Sequence, residues 1–260
     1  MSAQSERGER FRALHEGEPF VIPNPWDAGS ARVLEGLGFR ALATTSSAFA
    51  FTLGRGDGEV TLDELAAHVA SLAAATSLPI SVDLENGFGP DPADAARAIE
   101  RAAEAGAVGG SIEDWGPDGG LYDAGHASER IAAAVTAARG LDFPFTVTAR
   151  AENQIRGNPD LEDTIARLQA YEAAGADVVF APGLRTADEV REVCAAVSAP
   201  VNVLGHRGFT VAELSEAGAQ RVSVGGALTW VAAAAFMRAA EAIRDGDLSV
   251  LDARSPLPRG

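Results

Sequence analysis

The chain has 260 residues, 47% of them hydrophobic, with 21 basic residues against 37 acidic ones and a formal charge of −16. That is enough apolar sequence for one large core, and the acidic excess argues against nucleic acid or an anionic membrane as a partner. All 21 basic residues are arginine, so a Schiff-base lysine is excluded, and with it a lysine-dependent aldolase or a pyridoxal phosphate enzyme of the usual kind.

The start, Met1 to Arg7, lacks the apolar core of a signal peptide, and one cysteine provides no disulfide framework, so a cytoplasmic protein is expected. A polar helix is predicted over about 5–16. Phe20 to Pro23 reads as a first strand that ends in Asn24-Pro25-Trp26-Asp27, and a helix over 28–37 follows, with Asp27 as its cap. Ala41 to Ser46 reads as a second strand. A long loop then runs through Gly54-Arg55-Gly56-Asp57-Gly58 to a helix over 62–75, opened by Thr61 and Glu64 as a capping box.

The third strand, Ile80 to Leu84, delivers Asp83 and Glu85 into the glycine-rich segment Asn86-Gly87-Phe88-Gly89. Residues two apart on an extended chain project to the same side, and glycine lets the backbone turn closely around a bound group. Such carboxylates suit a hard divalent cation that keeps waters for substrate oxygens. The other reading is an acidic strand end that caps the next helix.

A helix over 92–105 leads to a fourth strand, 108–112, ending at Glu113-Asp114-Trp115, and a second glycine-rich loop runs to Gly125. Helix 128–138, strand 145–149 with Arg150 at its end, helix 161–173 and strand 177–180 come next. The helix over 187–197 places Val190, Val193, Cys194 and Val197 on one apolar stripe, which makes Cys194 a buried structural thiol. Strand 201–204, helix 211–217, strand 221–224 and a long helix over 227–242 complete the pattern. The alanine-rich run in that last helix is too short and too charged at its flanks to span a membrane.

Four helices end in a glycine that leads into a strand, at Gly38, Gly106, Gly175 and Gly218. Eight alternating βα units of this length predict a single closed (β/α)₈ barrel over the whole chain, since no Gly-x-Gly-x-x-Gly fingerprint follows the first strand. In a barrel the C-terminal strand ends meet at one mouth. Trp26, Asp27, Thr45, Ser46, Ser47, Asp57, Asp83, Glu85, Glu113, Asp114, Arg150, Glu152 and Asn202 are then neighbours. Crowded carboxylates repel unless a cation relieves them, and Arg150 with the amides near Ser46 and Ser47 offers a carboxylate or phosphonate a fork-shaped partner.

The ordered motifs Asn24-Pro25-Trp26-Asp27, Thr44-Thr45-Ser46-Ser47, Gly56-Asp57-Gly58, Asp83-Leu84-Glu85-Asn86-Gly87-Phe88-Gly89, Ile112-Glu113-Asp114, Thr148-Ala149-Arg150 and Pro200-Val201-Asn202-Val203 resemble the isocitrate lyase/phosphoenolpyruvate mutase superfamily over about 20–236. The resemblance implies a Mg²⁺ ion, or Mn²⁺, chelated by a small α-oxo acid or its enolate. It implies direct ligation by Asp83 and support from Asp57, Glu85 and Glu113. Ser46, Ser47 and Arg150 bind the substrate carboxylate in this reading, and Trp26 lines the pocket. It also implies a homo-oligomer, a dimer of dimers with exchanged C-terminal helices.

The departures narrow the activity. Isocitrate and methylisocitrate lyases carry a Lys-Lys/Arg-Cys-Gly-His loop after strand four, and the mutase carries Lys-x-Asn-Ser; the loop from Trp115 to His126 contains neither Lys nor Cys. Glu85 stands where the mutase pattern has a second Asp. The expected activity is therefore Mg²⁺-dependent C–C cleavage or decarboxylation of an α-oxo acid or its precursor, through a metal-stabilised enolate. Phosphonopyruvate chemistry and a non-catalytic oxo-acid-binding protein are the alternatives. Tyr122 and His126 read either as an acid supplied by a closing loop or as the start of helix four, and His206 as a substrate contact or a solvated loop residue.

Overall fold

A computed structural model describes residues 2–252. All eight expected strands form: β1 Phe20–Ile22, β2 Leu42–Ala43, β3 Ile80–Asp83, β4 Gly109–Glu113, β5 Thr146–Arg150, β6 Val178–Phe180, β7 Val201–Leu204 and β8 Arg221–Ser223. They make one parallel sheet in the order β1-β8-β7-β6-β5-β4-β3-β2. Between β1 and β2 the seam is narrow, bridged by the Ala43 N–H donating to the Pro23 carbonyl at 3.1 Å. Asn24 ties the end of β1 to both neighbours, because its Nδ2 donates to the Thr44 carbonyl beyond β2 at 3.0 Å while its Oδ1 accepts from the Val224 N–H beyond β8 at 3.0 Å. A nearly closed (β/α)₈ barrel results.

The helices are α1 Ala3–Glu16, α2 Ala28–Gly36, α3 Ser46–Thr52, α4 Leu62–Ala75, α5 Pro92–Glu104, α6 Ala124–Arg139, α7 Leu161–Ala173, α8 Ala187–Ala196, α9 Val211–Glu216 and α10 Ala227–Arg244. Local chemistry explains their starts. Asp27 accepts from the Ser30 N–H at 2.7 Å to cap α2, and Thr61 with Glu64 forms the capping box of α4. The apolar faces of α2 to α9 close over the barrel in one continuous core that includes Leu42, Val69, Ile80, Ile99, Ile112, Val147, Leu168, Val190 and Val203. At that length of buried apolar surface, hydrophobic burial is the main stabilising term.

Two boundaries differ from expectation. The segment after β2 is not an open loop: β2 stops at Ala43, and Ser46–Thr52 winds into α3, with Phe49 and Ala50 buried against the core and the Phe49 ring stacked on His68 at 4.0 Å. Nothing between Ser46 and Leu53 is Gly or Pro, and Gly54, at φ 69°, ends the turn. Similarly, α6 begins at Ala124, not near Ser128, because Asp123 accepts from the His126 N–H at 3.0 Å and caps the helix early.

The first helix closes the N-terminal end of the barrel. Phe11 is fully buried with Phe20, Ile22, Ala41 and Val108, and Gly8 lies so close to Pro144 that a Cβ there would stand 2.3 Å from its carbonyl oxygen. At the other end of the chain, α10 buries only Thr229, and Trp230, Val231, Phe236, Met237 and Ile243 are exposed. No helix among the described residues is long and apolar enough to cross a membrane.

Candidate functional site

Side chains on a barrel strand alternate between the interior and the surrounding helices, so positions two apart face inward together. On three neighbouring strands the inward pairs are polar: Ser81 and Asp83 on β3, Ser111 and Glu113 on β4, Thr148 and Arg150 on β5. Asn202 on β7 and Arg221 and Ser223 on β8 continue the ring. With these polar groups in place of the usual branched aliphatics, the interior opens as an inner cavity of about 210 Å³, lined by Asn24, Thr44, Ser46, Ser47, Asp57, Ser81, Asp83, Arg150, Asn202, Arg221 and Ser223 among others. Ser46, Asp57 and Arg150 also line an outer cavity of about 460 Å³, with Glu85, Glu113, Trp115 and Arg156. A separate cavity of about 500 Å³ at the closed end of the barrel, beside His15, has no such convergence of acids.

Asp83 lines the inner cavity beside Ser46 and Arg150, two of the residues that line both. Its Oδ2 accepts from the Ser46 N–H at 3.1 Å, at the start of α3, and its own N–H donates to Thr44 Oγ1 at 2.9 Å. Thr45, the cap of α3, makes no side-chain bond to a helix N–H, so the Asp83 carboxylate takes that role from the neighbouring strand. Arg150 is threaded between the acids, its Nε donating to Glu152 Oε1 at 2.5 Å and its Nη1 lying 3.3 Å from Glu113 and 3.7 Å from Asp83. Phe180 faces its guanidinium at 5.4 Å. Glu152 is fully buried and also accepts from Arg156 Nε at 2.9 Å, so one carboxylate fixes both guanidinium groups.

The segment after β3 is held in an unusual shape. Glu85 and Phe88 have φ of 49° and 61°, a left-handed conformation that costs a non-glycine residue about 1–3 kcal/mol. Arg130, reaching in from α6, holds that shape by donating to the carbonyls of Asn86, Gly89 and Asp91. Gly87 is required: its φ is 79°, and an added Cβ would stand 2.9 Å from Ala95 Cα.

Burial, then repulsion from Asp83 and Asp57, pushes the Glu85 carboxyl up to about 8, against a smaller opposing effect of Arg150. Burial likewise raises Glu113 to about 8, despite Arg150 beside it. Near neutral pH these two carboxyls therefore keep their protons, and a divalent cation between them would favour the charged form. All the donors are oxygens, which suits Mg²⁺ or Mn²⁺. Among the described residues, no three His, Cys, Asp or Glu side chains already surround one point as ligands would. Asp57 is exposed, on the loop that follows α3, and lines both cavities.

Several expected site residues are placed elsewhere. Asp114 faces away from the mouth, buried between β4 and α7, where it accepts from Arg167 Nη1 at 2.9 Å, Tyr171 Oη at 2.6 Å and the Glu152 N–H at 2.8 Å. Trp26 lines neither cavity; its backbone N–H is taken by Ser30 Oγ at 3.0 Å, at the start of α2. Tyr122 and His126 lie at the start of α6, also outside both linings: Tyr122 stacks under Arg130 at 4.7 Å, and His126 Nε2 meets the Pro90 carbonyl at 2.9 Å. His206 packs on Phe209 and borders a neighbouring cavity with Gln154, Ile155 and Leu204.

Sequence reasoning missed Asn24, Ser223 and Arg221 as groups facing the inner cavity, and Arg156 in the outer one. The signal was there for β8, in the polar-apolar-polar alternation Arg221-Val222-Ser223.

Comparison with known proteins adds the family. Residues 11–244 match the family model described as phosphoenolpyruvate phosphomutase. The chain is 31% identical over 253 residues to an oxaloacetate decarboxylase of Rhodopseudomonas palustris, covering 94% of this chain and 87% of the relative. It is 33% identical over 208 residues to a 2-methylisocitrate lyase of Halalkalibacterium halodurans, covering 76% and 67%. Among solved structures, a Burkholderia cenocepacia protein provisionally described as a lyase/mutase superposes with a TM-score of 0.94 at 52% identity, covering 97% of this chain and 94% of that one.

Proposed function

The chain belongs to the phosphoenolpyruvate phosphomutase family, and from that premise we propose that it is a divalent-metal-dependent lyase that breaks a C–C bond of a small α-oxo acid, by decarboxylation or by release of an oxo acid from a larger precursor. The observation that carries this reading is the placement of Asp57 and Arg150 at the junction of a hydroxyl-lined inner cavity, which Asp83 also lines, and an acid-lined outer one.

In this reading Asp83, Asp57, Glu85 and Glu113 hold Mg²⁺ or Mn²⁺, directly or through its waters. A divalent ion there supplies a Lewis acid for the oxygen that becomes negative as the bond breaks. Arg150, locked by Glu152, presents its guanidinium to the substrate carboxylate, and Ser46 and Ser47 donate to the same group. The side chains lining the two cavities include no His, Cys or Lys. Loss of CO₂ needs no proton removed from a substrate hydroxyl in the bond-breaking step, whereas aldol-type cleavage does. Decarboxylation therefore asks least of this set of residues, and a relative that is an oxaloacetate decarboxylase points the same way.

The exposed apolar residues of α10 favour a homo-oligomer in which a second copy covers that helix; a monomer in light scattering would rule that out.

The test of function is product formation from oxaloacetate, 2-methylmalate-type hydroxy acids and phosphonopyruvate, with Mg²⁺ and with a chelator, for the native chain and Asp83→Ala. Turnover that needs both the metal and Asp83 supports the proposal and names the bond. Phosphate or phosphoenolpyruvate from phosphonopyruvate, with no C–C cleavage, would replace it with P–C chemistry. No response of turnover or of thermal stability to metal and oxo acid together would remove the metal assignment.

A further inference from the structure

Arg221 is a buried cation with no carboxylate partner among the described residues. It is 4% exposed at the floor of the inner cavity, and its three bonds all go to neutral groups: Nε donates to Asn202 Oδ1 at 2.8 Å, Nη2 to Thr148 Oγ1 at 3.0 Å, and Nη1 meets His15 Nε2 at 3.2 Å. The guanidinium has no acceptor capacity, and this removes the ambiguity from its neighbours. His15 Nε2 must accept, so its proton is on Nδ1, where it donates to the Phe11 carbonyl at 2.8 Å. Burial, and then the charge of Arg221, drives the His15 pKa down to about 3 and keeps the ring neutral.

On the other side, Asn202 must present its oxygen to Arg221. Its Nδ2 therefore donates to Ser223 Oγ at 3.0 Å. Ser223, 8% exposed and two residues beyond Arg221 on the same face of β8, then has its hydroxyl oxygen engaged as an acceptor. No acceptor among the described protein groups takes the Ser223 proton, and the side chain borders the inner cavity. A hydroxyl in that state has one lone pair already taken and its proton free to donate to whatever occupies the cavity.

We propose that Ser223 is a substrate-binding donor and Arg221 its positioning residue: the run Arg221, Asn202, Ser223 turns one hydroxyl hydrogen toward a carboxylate or enolate oxygen of the bound oxo acid. This rests on the oxo-acid reading above and adds an anion-binding wall on β7 and β8, across the cavity from Arg150. The uncompensated charge of Arg221 strengthens that wall, since a cation in a low-dielectric floor favours an anion above it without touching it. Binding the anion costs no reorganisation, because the donor is already oriented.

The experiment is calorimetric titration of the Mg²⁺-loaded protein with oxalate, a planar dianion that mimics a carboxylate next to an enolate oxygen, together with steady-state kinetics on oxaloacetate. Ser223→Ala removes one oxygen at a strand end and leaves the fold. It weakens oxalate binding about tenfold, the loss of one hydrogen bond to a charged group. Arg221→Met has an equal or larger effect on its own, and the double variant Arg221→Met/Ser223→Ala is no weaker than Arg221→Met, because the second change removes a donor already misdirected.

A merely structural Arg221 would lower thermal stability while the folded fraction bound oxalate normally, with the two changes additive. Oxalate binding by Ser223→Ala within twofold of the native chain overturns the proposal even if Arg221→Met does not fold. A native chain that binds no oxalate with Mg²⁺ and turns over no oxaloacetate overturns the oxo-acid reading, and this subsite with it. A native chain that binds oxalate while Ser223→Ala is unaffected leaves the oxo-acid reading standing and removes the subsite alone.

Discussion

Glu85→Gln isolates the electrostatic cost of assembling the acidic mouth. Glu85 has no ion-pair partner among the described residues, so the change removes a charge without stranding an opposite one, and Gln keeps the shape. In the metal-free protein the folded pKa is about 8 against an ordinary 4.5, raised first by burial and then by Asp83 and Asp57. A carboxyl whose folded pKa is raised contributes stability that is complete below pH 4.5 and is lost as pH rises to about 8, because the unfolded chain releases the proton first.

Each pH unit in that window is worth about 1.4 kcal/mol. Between pH 5 and 7.5 the native chain should therefore lose about 3 kcal/mol that Glu85→Gln does not lose, or nearer 2 kcal/mol after allowance for partial solvent screening. Urea unfolding of both proteins in a chelator at the two pH values reads this directly as the change in their stability difference. Excess Mg²⁺ should then restore the native chain more than the variant, since the ion compensates the charge that Gln lacks. A stability difference that stays constant with pH in the chelator would refute the reasoning, and with it the claim that burial and neighbouring acids hold the Glu85 carboxyl protonated.

Two further perturbations separate structure from function. Asp114→Asn leaves Arg167 without its buried carboxylate and should cost about 3 kcal/mol in chemical denaturation, while the folded fraction keeps its metal affinity, because Asp114 faces α7 and not the mouth. His68 carries a buried Nε2 with no hydrogen-bond partner among the described residues, and burial lowers its pKa to about 4. A depressed histidine contributes stability present above pH 6.5 and lost as pH falls toward 4. His68→Phe should thus raise stability by about 1 kcal/mol at pH 7 and flatten the acid loss below 6.5, as measured by urea unfolding at pH 7 and pH 5. An unchanged acid slope would mean that the ring is solvated.

The stack of His68 on Phe49 also explains why α3 was invisible to pattern reading: seven residues are too few to display a helical period, and their apolar face is defined only by α4 lying against it. The same limit applies to the site. Asp83 and Glu85 announced themselves because strand alternation and a glycine-rich turn are local properties of the chain. Asp114 looked equivalent in sequence, next to Glu113, but one step along a strand points to the opposite face, and Arg167 and Tyr171 from 53 and 57 residues away take it out of the mouth.

By itself, the sequence determined the eight βα units, the glycine turns between them, the capping of α2 and α4, and the strand-end position of the acids and Arg150. All of these depend on residues within a few positions of one another. Only the tertiary structure decided which polar side chains share a cavity. The burial that raises Glu85 and Glu113, the placing of Arg150 between Glu113 and Asp83, and the setting of Arg221 among Asn202, Thr148 and His15 at the cavity floor each depend on groups from different elements. Desolvation and charge coupling act across a few ångströms of space, and closing the barrel is what brings those strands within that range.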